Sequence, residues 1–282
     1  HSSLFQLLNQ FAVWGNGFFG AGSFDTKLFA AGGVSFITFA LLYVLPADPA
    51  VQIAGRSATP ETVASIRAQL GLDQPLLAQY WNYLSNLAQG DFGRSYLQKT
   101  EVSTLIQSRI GPSLSLMFFA ILIELIIGLS AGIYSAMRRG KLSDNVVMVS
   151  SFIAISAPQF IISIFVLYIF AVKLGWFPIG GYGKPIHYVL PALTLGILGS
   201  GWYSRVMRSS MIDVLRQDYI RTARAKGAPI SRIIRVHAFK NAVLPIIAMI
   251  GLDIGIFMGG IAVVESVFGW PGIGQLAWQA IQ

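Results

Sequence analysis

The sequence predicts an all-α membrane protein, a polytopic bundle of helices, and three observations carry that prediction. The 282 residues are 54% hydrophobic but only 11% charged, with a mean hydropathy of +0.63, whereas a soluble domain carries about 25% charged residues. Apolar runs long enough to cross a bilayer recur along the chain. The basic residues are gathered into short blocks between those runs. Composition alone therefore argues against a soluble enzyme, a disordered chain or a disulfide scaffold. With no cysteine, disulfides, zinc–thiolate sites, iron–sulfur ligation and a thiol nucleophile are excluded.

Residues 1–27 have no assigned role. Phe5, Leu7, Leu8, Phe11, Val13 and Trp14 suit an interfacial helix that Gly15–Gly22 would break. A basic n-region and a small-residue cleavage pattern, the marks of a signal peptide, are missing. The membrane domain is read from residue 28 to residue 282, with spans at 28–46, 112–136, 146–172, 187–207 and 242–264. Gly and Pro within them are tolerated, as membrane helices allow.

The segment 47–111 holds five basic and five acidic residues and lacks the positive bias of a cytoplasmic loop. It is read as an outer segment with two helices. Thr59 caps the first, with Pro60 at its first position, Glu61 in its first turn and Gly71 as its stop. The second runs from Pro75 to Ala88 and ends at Gly90.

Residues 205–240 hold nine Lys/Arg against Asp213 and Asp218, and residues 138–144 hold Arg138, Arg139 and Lys141 against Asp144. These blocks account for more than the whole net charge of +8. They fall between spans two and three and between spans four and five, so an alternating chain puts both on one face. By the positive-inside rule that face is cytoplasmic, and the N-terminus lies there too. Nucleic acid is not the expected partner, because the motifs that read bases are missing.

Glu124 and Asp253 lie mid-way along spans two and five. Acids at membrane depth mark a pathway or a buried polar contact; an interhelical hydrogen bond and ion coupling are both open readings. Gly128 with Gly132, and Gly251 with Gly255 and Gly259, are spaced for close helix packing. Pro158 and Pro191 are expected to kink spans three and four. Asp91-Phe92-Gly93 lacks the rest of a kinase site, and His1, His187 and His237 have no metal-ligand spacing. The sequence has no GxxxxGK[ST], so any ATPase is another chain.

The stretch 208–241 is the most informative. A short helix is expected from Gln217 to Lys226, stopped by Gly227 with Pro229 beyond, and a second helix from Ser231 into span five. Ala223 and Ala225 between basic residues make a knobbed surface suited to a partner's groove. A solvated loop that only sets orientation explains the same composition.

Asp218-Tyr219-Ile220-Arg221-Thr222-Ala223-Arg224-Ala225-Lys226-Gly227, with Asn241-Ala242-Val243-Leu244-Pro245, resembles the EAA loop of ABC importer permeases of the dipeptide/oligopeptide/nickel family. Leu45-Pro46-Ala47-Asp48-Pro49, Leu70 to Pro75, Gly90 to Ser95, and Val264 to Gly274 are similar to further motifs of that family. Residues 40–280 are covered. The loop's leading glutamate is Arg221 here, and the gap from Gly227 to Leu244-Pro245 is longer than in sugar permeases, as in the peptide group.

The resemblance implies a type I importer permease in a bacterial inner membrane, with a sixth span beyond the five visible. It implies ATPase coupling through Tyr219, Arg221, Thr222, Ala223, Ala225, Lys226 and Gly227. It implies a second homologous permease subunit, one or two kinds of ABC ATPase holding ATP and magnesium, and a periplasmic or lipid-anchored binding protein. That protein would be received by segment 47–111 and the loop around Trp270-Pro271-Gly272. Surrounding lipid is the remaining partner, and no cofactor is expected on this chain. The alternative function is a self-sufficient, ion-coupled secondary transporter working through Glu124 and Asp253.

Overall fold

A computed structural model describes residues 32–37, 39–40, 49–54, 59–69, 71–95, 98–258 and 261–281. The proposed N-terminal segment, most of the first span, the Leu45–Asp48 motif, Leu70 and Gly259 lie outside the described residues. The chain divides into two compact units, residues 1–107 and 108–282.

In the first unit, residues 32–37 and 39–40 are helical, followed by α1 (Pro49–Ala54), α2 (Pro60–Gln69) and α3 (Leu76–Ala88). The expected cap is present, with the Thr62 backbone N–H donating to Thr59 Oγ1 at 3.3 Å. Gly71 and Gly90 take φ of +66° and +79°, the left-handed conformation that ends a helix at little steric cost for glycine. Tyr80 meets Phe36 edge-on and Phe39 at a tilt. A two-residue hairpin, β1 (Arg94–Ser95) with β2 (Thr100–Glu101), pairs antiparallel.

The second unit is helical. α4 (Val102–Met137) begins ten residues before the span read from sequence, since Pro112 is accommodated inside it. Its 36 residues give a rod about 54 Å long at 1.5 Å per residue. α5 (Leu142–Ser156) and α6 (Gln159–Leu167), continued by π-helical Tyr168–Lys173, meet at an angle of 104°. The third span is thus broken at Ala157-Pro158, where the sequence suggested only a kink. Pro158 cannot donate the next helical hydrogen bond, and both residues are extended, with ψ of 128° and 131°.

α7 (Pro185–Val214) runs through Pro191 without interruption. Then come α8 (Asp218–Ala225), α9 (Ile230–Arg232), a π-helical stretch Ile233–Ala238, α10 (Phe239–Ala242) and α11 (Leu244–Met258). α12 (Ala262–Val267) and α13 (Ile273–Ile281) close the chain. Among the described residues one helix is long and apolar enough to cross a membrane, or three spans if each bent pair counts as one.

Two apolar cores hold the second unit, one toward each end of α4. Leu116, Ala120, Leu190, Leu195, Val264 and Trp270 belong to the first. Ala136, Met207, Met211, Ile220, Ile233 and Ile246 belong to the second. Between them α4 and α7 touch backbone to backbone. A Cβ added to Gly132 would come within 2.6 Å of Ser204 O, so this glycine packs where no side chain fits.

Candidate functional site

The stretch read from sequence as a coupling segment forms a discrete helix, α8, bounded as its residues require. Gly227 takes φ of +77°. Its amide donates to Arg224 O at 2.9 Å and the Ala228 amide to Ala223 O at 3.1 Å, a Schellman-type ending that leaves no frayed turn. Of the eight residues only Ile220 is buried, at 0% exposure. It enters the second core beside Met207 and Met211 of α7 and Ile233. Ala223 is half-buried against the same core.

The other residues named from sequence face outward: Tyr219, Arg221, Thr222, Ala225, Lys226 and Gly227 are exposed. Arg221 pairs with Asp218 at 3.3 Å on the solvent side, an exposed contact of little energetic weight. Asn241 Nδ2 donates to Tyr219 Oη at 2.7 Å, tying α8 to α10. The arrangement is an exposed basic knob pinned to the helical body by one aliphatic anchor. Ile220 was missed as a functional residue; its 0% exposure amid exposed neighbours singles it out.

Beside that anchor lies a second feature that sequence reasoning missed. Asp144, 1% exposed in the first turn of α5, accepts a forked pair of hydrogen bonds from Arg208 on α7. Nε reaches Oδ1 and Nη2 reaches Oδ2, each at 2.7 Å. Ser135 of α4 donates to Oδ1, and the Gly140 amide to Oδ2 at 2.9 Å. The Arg208 guanidinium, aided by the Ser135 and Gly140 donors, holds the Asp144 carboxyl far below the usual carboxylate range despite burial. The one available signal was an acid inside an otherwise basic block.

Glu124 and Asp253, separate in the sequence, are brought to one place by α4, α7 and α11. Tyr203 Oη donates to Asp253 Oδ2. Glu124, 2% exposed, lies within electrostatic reach of both, and its Oε2 has no hydrogen-bond partner among the described residues.

At the other end of α4, Glu265 of α12 is fully buried. Ser113 Oγ donates to its Oε1 at 2.7 Å and the Gln275 amide to its Oε2 at 2.8 Å. The Ile273 amide in turn donates to Ser113 Oγ at 2.9 Å. Trp270 Nε1 donates to Pro112 O at 3.1 Å, and its ring meets Tyr182 and Tyr188 edge-on. Trp270 and Gly272 are therefore buried, while Gly269 is the exposed residue of that loop and Ser266 is exposed on α12. Among the described residues no group of three or more His, Cys, Asp or Glu could hold a metal.

Bent apolar helices with an exposed basic helix beside them fit a subunit of a membrane transport system. The chain belongs to the family of binding-protein-dependent transport system inner membrane components, whose model matches residues 125–282. The N-terminal model for the membrane components of such systems matches residues 31–117. The chain is 41% identical over 249 residues to the glutathione transport system permease protein GsiC of Escherichia coli (strain K12), covering 88% of this chain and 81% of that one. The protein of that name from Shigella flexneri serotype 5b (strain 8401) matches equally. The one from Salmonella choleraesuis (strain SC-B67) is 42% identical over 243 residues, 86% of this chain and 79% of that one.

The chain is thus a multi-pass permease subunit of an ABC importer in the bacterial inner membrane, working with a binding protein and an ATPase. It is not itself the enzyme, since hydrolysis resides on separate subunits. The family does not support the ion-coupled secondary transporter.

Proposed function

We propose that this permease passes small peptides of the glutathione class from a periplasmic or lipid-anchored binding protein to the cytoplasm, its basic face and N-terminus being cytoplasmic. A second homologous permease completes the pathway, and one or two kinds of ATPase hold ATP and magnesium. α8 docks in a groove of the ATPase through Tyr219, Arg221, Thr222, Ala225 and Lys226, with Gly227 ending the helix and Ala223 seating it. The observation that supports this best is the split of α8 into one fully buried anchor, Ile220, and an exposed basic face. Such a helix transmits force when its outer face is held, because its inner face moves with the core. The substrate class rests on the names of the relatives. The outer segment 47–111 receives the binding protein, as does the loop around Trp270-Pro271-Gly272 through its exposed Gly269. Glu124 and Asp253 act as an interhelical polar contact at membrane depth, not as an ion-coupling pair.

The chain has no cysteine, so single reporters are clean. With Thr222→Cys or Ala225→Cys in the assembled importer, a short thiol-directed cross-linker is expected to capture the ATPase subunit. Co-purification of that subunit without capture at either position would overturn the docking of α8.

A further inference from the structure

The Asp144–Arg208 pair lies where three helices and the α8 anchor converge. Ser135 and Ala136 stand at the end of α4, Gly140 in the turn, Asp144 at the start of α5 and Arg208 on α7. Met207 and Met211, the neighbours of Arg208 along α7, belong with Ile220 of α8 and Ile233 to the second core. α4 also approaches α7 closely here, since a Cβ on Gly132 would lie 3.1 Å from the Arg208 nitrogen. Seven residues deeper on α5, Ser151 Oγ and Ser204 Oγ of α7 share a hydrogen bond of 2.6 Å. A Cβ added to Gly201 would come within 2.6 Å of Ser151 O, so α5 and α7 are also in close backbone contact.

Each oxygen of Asp144 has two donors, and both Arg208 bonds run in parallel. A forked guanidinium–carboxylate pair fixes orientation as well as distance, which a single point charge does not. The core that α8 and α7 share is apolar, and apolar contact is non-directional, whereas the fork fixes orientation.

We infer that Asp144 and Arg208 are positioning residues of the transport cycle: their clamp makes the α4–α5 hairpin follow α7 when α8 is displaced by the ATPase. The inference rests on the proposed docking of α8. Movement of α8 passes to α7 through Ile220, Met207 and Met211. It passes from α7 to α5 through the fork, and to α4 through Ser135 and the Gly132 contact. Without the fork, α7 moves while α5 lags, and nucleotide binding no longer sets the arrangement of the helices.

The test uses the assembled importer in lipid nanodiscs, with spin labels at Leu142→Cys and Ser209→Cys, exposed positions on α5 and α7. Distances are measured by double electron–electron resonance without nucleotide and with ATP plus orthovanadate. The wild-type background should give one narrow peak that is the same in both states. Asp144→Asn should match it without nucleotide, because the amide keeps the shape and several hydrogen bonds. With ATP plus orthovanadate its distribution should split or widen by about twofold or more. Should Asp144→Asn fail to assemble, Arg208→Lys, which keeps the charge but loses the fork, should show the same nucleotide-dependent change.

A widening already present without nucleotide would mark a merely structural role and overturn the inference. So would identical peaks in every state, or a wild-type distance that itself changes. Capture of the ATPase through Ala225→Cys is scored on matched preparations that lack the two spin-label cysteines. Capture without nucleotide-dependent widening sinks the clamp and leaves docking standing; failed capture sinks both.

Discussion

Each end of α4 is fastened by a buried carboxylate, and the two are solved by different chemistry. Ser135, which contacts Asp144, and Ser113, which contacts Glu265, are 22 residues apart in one helix, or about 33 Å at 1.5 Å per residue. That is the thickness of a bilayer's hydrocarbon core. At the basic end Asp144 meets a full cation through a fork, along with two neutral donors. At the far end Glu265 has only a hydroxyl and a backbone amide, and among the described residues it forms no ion pair. The forked ion pair joins separate helices and fixes their relative orientation. A carboxylate met by backbone and by Ser113 holds one compact hairpin, α12–α13, against one helix. The first suits a joint that transmits motion, the second a fixed stop.

The largest effect that sharpens this contrast is expected from Arg208→Ala. It leaves Asp144 buried without its cation, and removing one partner of a buried pair costs roughly 3 kcal/mol or more. Arg208 is 26% exposed along its side chain, which keeps the effect near the lower end of that range. The reading is the denaturation midpoint in detergent; an unchanged midpoint would show that water already shares the work of the guanidinium.

Glu265→Gln should cost less, about 1–2 kcal/mol, because it exchanges one acceptor for a donor facing either Ser113 or the Gln275 amide. No charge is stranded by the change. If Glu265→Gln proved as damaging as Arg208→Ala, the two ends would be equivalent in kind and the contrast would fail. Trp270→Phe comes next, at about 1 kcal/mol. It removes the single hydrogen bond to Pro112 O while keeping most of the aromatic contact with Tyr182 and Tyr188.

Much of this was legible in the sequence because the signals are local. The helix ends at Gly71, Gly90 and Gly227 follow from a conformation that few other residues adopt, and all three glycines have positive φ. Apolar runs and clustered basic residues announce membrane helices. The start of α4 was not legible, since Pro112 marks a helix start in most sequences and here lies ten residues inside one. The right-angled break at Ala157-Pro158 looked the same as a gentle kink, because proline removes a hydrogen bond without fixing the resulting angle. Asp144 was counted only as a charge against its basic neighbours. Its partner Arg208 stands 64 residues away, a separation that no periodicity reports. Glu124 and Asp253 were each noticed, but their convergence on Tyr203 depends on how α4, α7 and α11 pack.

The smallest expected effect is a null that the ion pair makes specific. The folded-state pKa of Asp144 is lowered, chiefly by Arg208, relative to about 3.9 in an unfolded chain. A depressed carboxyl pKa contributes stability that is fully present above the unfolded value and is lost as pH falls from there through the folded one. The stability difference between the protein and its Asp144→Asn variant should therefore stay flat from pH 8 to about pH 5. It should shrink only below about pH 4, where the unfolded chain begins to take up the proton that folded Asp144 refuses. A difference that already declined between pH 7 and pH 5 would mean that Arg208 does not hold the carboxylate charged. The basic end would then be fastened, like the far end, by neutral hydrogen bonds.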